Sequence, residues 1–198
     1  ATDCSRGAFE VEREKLLRRH TSESALLFPQ VPFEWQNRID DEEFESLARD
    51  ILHREPGITR VRRAGKSRDR DGGRDLTVDW ITTALTDKES KKLQDVRVAR
   101  RVVVQCKAVA GGLSKSALRD IRDTIEGHDA TGFLLITSGY LRGALMEHLE
   151  RMRIEKKYYI EWWSRSELEE RLKSYPDLVK KYTKVFQPKV ELSPPTPA

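Results

Sequence analysis

The stretch Val102-Val103-Val104-Gln105-Cys106-Lys107 is a β-branched run that ends in an amide, a thiol and an amine. Such a run reads as a strand, here from Arg101 to Val109. Alternation turns Gln105 and Lys107 to one face, roughly 6–7 Å apart, and Cys106 to the other with Val102 and Val104, toward the core. An amide and an amine side by side on an otherwise apolar strand are costly unless something anionic or metallic satisfies them.

The stretch Asp71-Gly72-Gly73-Arg74-Asp75-Leu76 offers the anion. Asp71-Gly72-Gly73 reads as a turn. It feeds a strand over 74–83, where Leu76, Val78 and Trp80 alternate with Asp75, Thr77 and Asp79. A carboxylate oxygen of Asp75, the amide oxygen of Gln105 and the backbone carbonyl of Cys106 are hard donors. Mg²⁺ accepts such a set while keeping several waters. Lys107 would then stand where it orients an attacking water and offsets negative charge growing on a phosphate. Asp79 lies four residues beyond Asp75, roughly 13 Å along the strand. It cannot share an inner metal shell and reads as structural.

Outward from this pair, Ile58 to Ala64 reads as a first strand, so three strands suggest an antiparallel meander. Before it, Asp40 or Asp41 caps a helix in which Phe44, Leu47, Ala48, Ile51 and Leu52 recur at helical spacing, and Pro56-Gly57 ends it. Residues 86–95 read as a polar connection. After the meander, Lys115 to Glu126 reads as one helix, and Gly132 to Thr137 as a buried strand. Leu141 to Met152 reads as a helix, Tyr158 to Trp163 as a strand, and Ser166 onward as one or two closing helices. The fold class is therefore α/β, a mixed central sheet flanked by helices, in the order α-β-β-β-α-β-α-β-α. Trp162 and Trp163 point to opposite faces of their strand, where core packing is favoured over base stacking. Residues 1–37 read as a helical or irregular extension, with a charged helix over 8–20 and an irregular stretch over 26–36. Residues 38–187 form the main domain. Residues 188–198, ending Ser193-Pro194-Pro195-Thr196-Pro197-Ala198, read as a Pro-rich linker or tail, as in a domain cut from a longer protein.

At 198 residues the chain suits one domain with terminal decoration, and no apolar run or leader points to a membrane. Its two cysteines, Cys4 and Cys106, make no disulfide framework, so a reducing, cytoplasmic setting is expected. A net charge of +4 favours polyanionic partners only mildly. The cluster Arg60, Arg62, Arg63, Lys66, Arg68 and Arg70 is more pointed, although such a run equally describes a solvated loop. Gly65-Lys66-Ser67 matches the end of a phosphate loop, but the earlier glycine is replaced by Arg60, which removes an NTPase site. His20, His53, His128 and His148 have no metal-ligand spacing.

In order and combination, a helix with Phe44-Glu45-Ser46-Leu47, then Asp71-Gly72-Gly73-Arg74-Asp75, then Val104-Gln105-Cys106-Lys107 resembles the Mrr-like branch of the PD-(D/E)xK restriction-endonuclease superfamily. The resemblance continues through Gly132 to Gly139, a helix with Ala144, and the strand and helix around Ile160 to Leu172. It covers residues 40–175. It implies a restriction-endonuclease-like core and a Mg²⁺-dependent endodeoxyribonuclease, with Mn²⁺ able to substitute, leaving 5′-phosphate and 3′-hydroxyl ends. Carried over, Asp75 is the principal metal ligand, Gln105 its partner in a position more often held by Glu or Asp, and Lys107 the catalytic lysine. Glu45 is the helix-borne acid that completes the site. With Gln in place of a carboxylate, the metal should bind more weakly.

DNA is the expected partner, with Arg62, Arg63, Lys66, Arg68, Arg70 and Arg74 holding backbone phosphates. Domains of this kind serve in restriction and antiviral defence proteins, fused to or working with further domains, and cutting both strands calls for a homodimer or higher assembly. Two other readings stay open: a non-catalytic nucleic-acid-binding module on a nuclease-like fold, and a structure-selective junction resolvase.

Overall fold

The computed structural model describes residues 33–63, 75–86, 94–118 and 120–188. The charged helix expected over 8–20, the Asp71-Gly72-Gly73 turn, the basic residues Lys66, Arg68, Arg70 and Arg74, and the Pro-rich tail lie outside them.

Helix α1 (Asp41–Leu52) starts where expected. Asp40 is its N-cap and accepts from the Glu43 backbone N–H at 2.9 Å, and three acids in the first turn complement the helix dipole. Phe44, Leu47, Ala48, Ile51 and Leu52 are all buried. Each large member contributes about 1.5–3 kcal/mol of burial, which holds the helix against the sheet far more firmly than propensity alone. The chain then turns through Gly57 at φ +83°, a conformation that favours glycine.

The main sheet has five strands among the described residues, in the order β2 (Ile58–Arg63), β3 (Leu76–Thr86), β4 (Gln94–Lys107), β6 (Gly132–Thr137), β8 (Tyr159–Trp163). The expected meander is present: β2, β3 and β4 pair antiparallel, whereas β4, β6 and β8 pair parallel. Between the parallel strands run the crossovers. One carries β5 (Gly112–Leu113) and helix α2 (Ile121–Glu126); the next carries β7 (Tyr140–Leu141) and helix α3 (Gly143–Ile154). Helices α4 (Arg165–Lys173) and α5 (Pro176–Lys181) close the chain.

Two hydrophobic layers result. On one face, α1, α4 and α5 cover Leu76, Val78, Val102, Val104, Leu134, Ile136 and Trp163. On the other, α2 and α3 cover Val103, Phe133, Leu135 and Ile160. Every residue of β6 is buried, as an apolar run covered on both sides must be.

Three expectations change in detail. The stretch Lys115 to Glu126 is not one helix: a short 3-10 turn at Lys115–Ala117 ends at an extended Leu118, and Asp120 then caps α2 afresh. Leu141 belongs to β7, so the following helix begins at Gly143. The connection over 86–95 is shorter than expected, because the β3–β4 ladder continues out to Thr86↔Gln94. A pairing with no local signal also appears: β1 (Phe33–Trp35) lies antiparallel to β9 (Phe186–Pro188), and Phe33, Trp35, Phe44 and Phe186 meet edge to face or tilted.

This topology has one consequence for the site. β2, β4, β6 and β8 end at the same edge of the sheet, and antiparallel β3 begins there. Arg63, Asp75, Lys107 and Thr137 therefore share one edge, the carboxyl ends of the parallel strands, which is where ligands bind in open α/β sheets.

Candidate active site

The register pairs Leu76 with Val104, so Asp75 stands one step further on, level with Gln105. There β3 ends and β4 continues. The Asp75 backbone N–H donates to the Val104 carbonyl at 3.0 Å, and its Oδ2 accepts from the Cys106 backbone N–H at 2.6 Å. A side chain thus takes over a ladder position that β3 no longer supplies. In a strand the N–H and C=O of one residue project the same way, so the Cys106 carbonyl also emerges toward Asp75. Lys107 alternates with it: its carbonyl is directed at β6, where Ser138 N and Thr137 Oγ1 donate to it at 3.2 and 2.9 Å.

Gln105 is 4% exposed, and its side chain has no hydrogen-bond partner among the described residues. Its β6 neighbour is Leu135, which faces α2 and α3, so the amide and Lys107 leave β4 on that face. A buried amide left unpaired costs about 1–3 kcal/mol. Cys106 is turned the other way, with Val102 and Val104, as its sequence position indicates.

Glu45 approaches from the α1 face. It is paired with Arg63, Nε to Oε1 at 3.1 Å, and Arg63 also donates to Ser46 Oγ at 2.7 Å. Burial foremost pushes the Glu45 carboxyl up; the Arg63 charge opposes this and the Asp75 carboxylate adds to it. Burial likewise pushes the Cys106 thiol up, reinforced by Asp75 and Glu45 and opposed by Lys107. A thiol held neutral in this way is no nucleophile. The same influences place Asp75, Glu45 and Lys107 within electrostatic reach of one residue, Cys106.

Among the described residues, no three His, Cys, Asp or Glu side chains come together to hold a metal. The oxygen donors at this edge are of another kind: the Asp75 carboxylate on the Cys106 backbone, the Gln105 amide level with Asp75 on the α2–α3 face, and Glu45 from the α1 face, within electrostatic influence of Asp75. All present oxygen, and two carboxylates raise each other's affinity for a cation. This set fits a small hard divalent ion.

Of the expected phosphate contacts, Arg62 is exposed on β2, whereas Arg63 is engaged with Glu45. One group carried no sequence signal beyond an apolar run ending in Thr-Ser-Gly. Ser138 is fully buried, its Oγ accepting from Val109 N at 2.8 Å, and its carbonyl accepts from Arg165 Nε at 2.7 Å. Together with Thr137 it locks the strand end that carries Lys107.

A family model, Mrr_cat, described as "Restriction endonuclease", matches residues 36–172. Among solved structures, the DNA modification-dependent restriction endonuclease AspBHI is similar over 71% of this chain and 32% of its own, at 13% identity and a TM-score of 0.45. The chain thus spans about a third of that protein's length. No curated protein matches.

Proposed function

We propose, from the premise that this chain belongs to the Mrr_cat restriction endonuclease family, that it is a Mg²⁺-dependent endonuclease hydrolysing DNA phosphodiesters at the sheet edge around Asp75. The observation that supports this most is the Asp75 carboxylate docked on the Cys106 N–H, level with a buried Gln105 whose amide has no partner among the described residues. Asp75, the Cys106 carbonyl and Gln105 would hold the ion, with Glu45 joining directly or through water. A bound Mg²⁺ supplies Lewis-acid stabilisation of the phosphate and eases deprotonation of the attacking water. Lys107, with no ion-pair partner among the described residues, orients that water and offsets charge on the phosphate. Arg62 and the basic residues before Asp75 hold the flanking phosphates, which fixes position without reading bases.

The test is incubation of supercoiled plasmid with Mg²⁺ or EDTA, using wild type, Asp75→Ala and Lys107→Ala. Nicking by wild type with Mg²⁺ alone is expected. Lys107→Ala should still bind DNA, which separates catalysis from docking, and equal nicking by all three proteins would end the proposal. Cleavage of both strands would take two copies, since each chain offers one such site. A restriction or antiviral role, alongside further domains in the cytoplasm, is the setting we propose.

Arg63 bears on metal affinity. It neutralises Glu45 before any ion arrives, so an incoming cation competes with its guanidinium. For a partly exposed pair worth about 0.2–1 kcal/mol, Arg63→Gln should tighten Mn²⁺ binding without DNA up to about five-fold. Calorimetric titration reads this directly. Weaker Mn²⁺ binding in the variant would contradict the competition.

A further inference from the structure

Tyr140 is 61% exposed, yet it stands on no loose loop. It begins β7, which pairs with β5 in the register Gly112↔Tyr140. Its backbone N–H donates to the Gly111 carbonyl at 3.2 Å, the Arg142 N–H donates to the Leu113 carbonyl at 3.0 Å, and Leu141 between them is buried. A Cβ added at Gly112 would lie 2.6 Å from Cε2 and 2.9 Å from Cζ of the Tyr140 ring, and 3.0 Å from Cγ of Arg142. The ring therefore leans against bare backbone, which a side chain at 112 would displace. That support leaves much of the ring open to solvent.

A cation stands beside it, since the Arg142 side chain shares the space above Gly112. β7 follows Thr137, the β6 neighbour of Lys107, by three residues, so Tyr140 lies at the edge that carries the candidate site. Exposed Arg142 comes next and is the N-cap of α3, a helix with no side-chain cap and no acid in its first turn. No residue of the helix itself therefore compensates its positive end beside Arg142. An isolated exposed tyrosine is ordinary on a protein surface. An aromatic propped on glycine, flanked by Arg142 and an uncapped helix start at the sheet edge that also carries Lys107, has the two chemistries of a nucleotide: a flat apolar face for a base and positive charge for its phosphate.

We propose that Tyr140 is a base-stacking residue, and that the preferred substrate presents an unpaired nucleobase beside the scissile phosphate: single-stranded, flapped or locally opened DNA. This rests on the DNA-cleaving reading above and deepens it by naming the substrate class. The base lies on the open part of the Tyr140 ring, while Arg142 and the first N–H groups of α3 face the adjoining phosphate. A fully stacked duplex cannot offer that base without opening.

The experiment uses a single-stranded oligonucleotide and its blunt duplex, each carrying 2-aminopurine, titrated in EDTA with the full chain, Tyr140→Ala and Tyr140→Phe. Wild type and Tyr140→Phe should bind the single strand about tenfold more tightly than the duplex and change its 2-aminopurine emission. Tyr140→Ala should lose both the preference and the emission change while melting like wild type. Equal binding of the two forms by wild type, or an unchanged preference in Tyr140→Ala, overturns the stacking role even if plasmid is cleaved. Absence of any DNA binding by wild type, together with intact plasmid in the Mg²⁺ assay, overturns the parent reading as well.

Discussion

Changing Asp75 to asparagine is expected to lower DNA hydrolysis by about 10²–10³-fold or more while leaving the fold and its melting temperature near wild type. The two effects separate because Asp75 does two things. In the proposed mechanism its carboxylate supplies charge for a divalent ion, and in the structure its Oδ2 accepts from the Cys106 N–H at 2.6 Å, where β3 has ended. Asparagine keeps an oxygen acceptor of the same shape for that N–H but removes the charge. Alanine removes both. Asp75→Ala should therefore match the loss of cleavage and add an instability of about 1–3 kcal/mol from the unsatisfied donor. In a chain of this size that lowers Tm by roughly 2–12 °C. Plasmid nicking and thermal melts of the two variants measure the contrast. Cleavage by Asp75→Asn within twofold of wild type would remove Asp75 from the chemistry.

Replacing Trp163 with alanine is expected to cost about 3–5 kcal/mol, the largest stability effect we anticipate. Trp163 is 2% exposed and meets Trp80 edge to face with ring centroids 6.1 Å apart. The Arg171 guanidinium lies over its ring at 3.9 Å, and that same group is held by both oxygens of Glu55 at 3.0 and 3.1 Å. Removing the indole opens a cavity at the end of β8 and leaves Arg171 and Glu55 without their apolar support. A domain stable by about 5–15 kcal/mol has little margin for such a loss. Trp162, one residue earlier, is a built-in control: it is half-buried on the opposite face under Arg153, at 4.7 Å, and its replacement should cost clearly less. Urea denaturation of the two variants decides the order, and equal effects would mean that Trp163 is not the anchor described.

Much of this was legible in the sequence, for identifiable reasons. The α1 stripe from Phe44 to Leu52, the apolar run of β6 and the alternation through Gln105 and Lys107 all express periods set by a single element packed on a core. Trp162 and Trp163 divide between the two faces as their adjacency requires. The misreadings lie where the deciding interaction is not periodic. Leu118, Ile121 and Ile125 keep helical spacing across a break, and only the Asp120 side chain, accepting from the Arg122 and Asp123 N–H groups, marks the true start of α2. The outer β3–β4 ladder carries polar residues and so looked like a connection. The pairing of Phe33 with Pro188 joins parts of the chain too distant for any local pattern. At the site, Asp75 and Lys107 stood out by type and spacing. That Arg63 holds Glu45, or that Ser138 and Arg165 brace the strand end, depends on how separate elements meet.

Because β1 and β9 are antiparallel partners, the first and last described strands of the chain form one small ribbon. Trp35 in that ribbon lies under Arg165, which grips the Ser138 carbonyl, and Ser138 in turn grips Lys107. The ribbon is thus joined by three named contacts to the backbone of Lys107 at the end of β4.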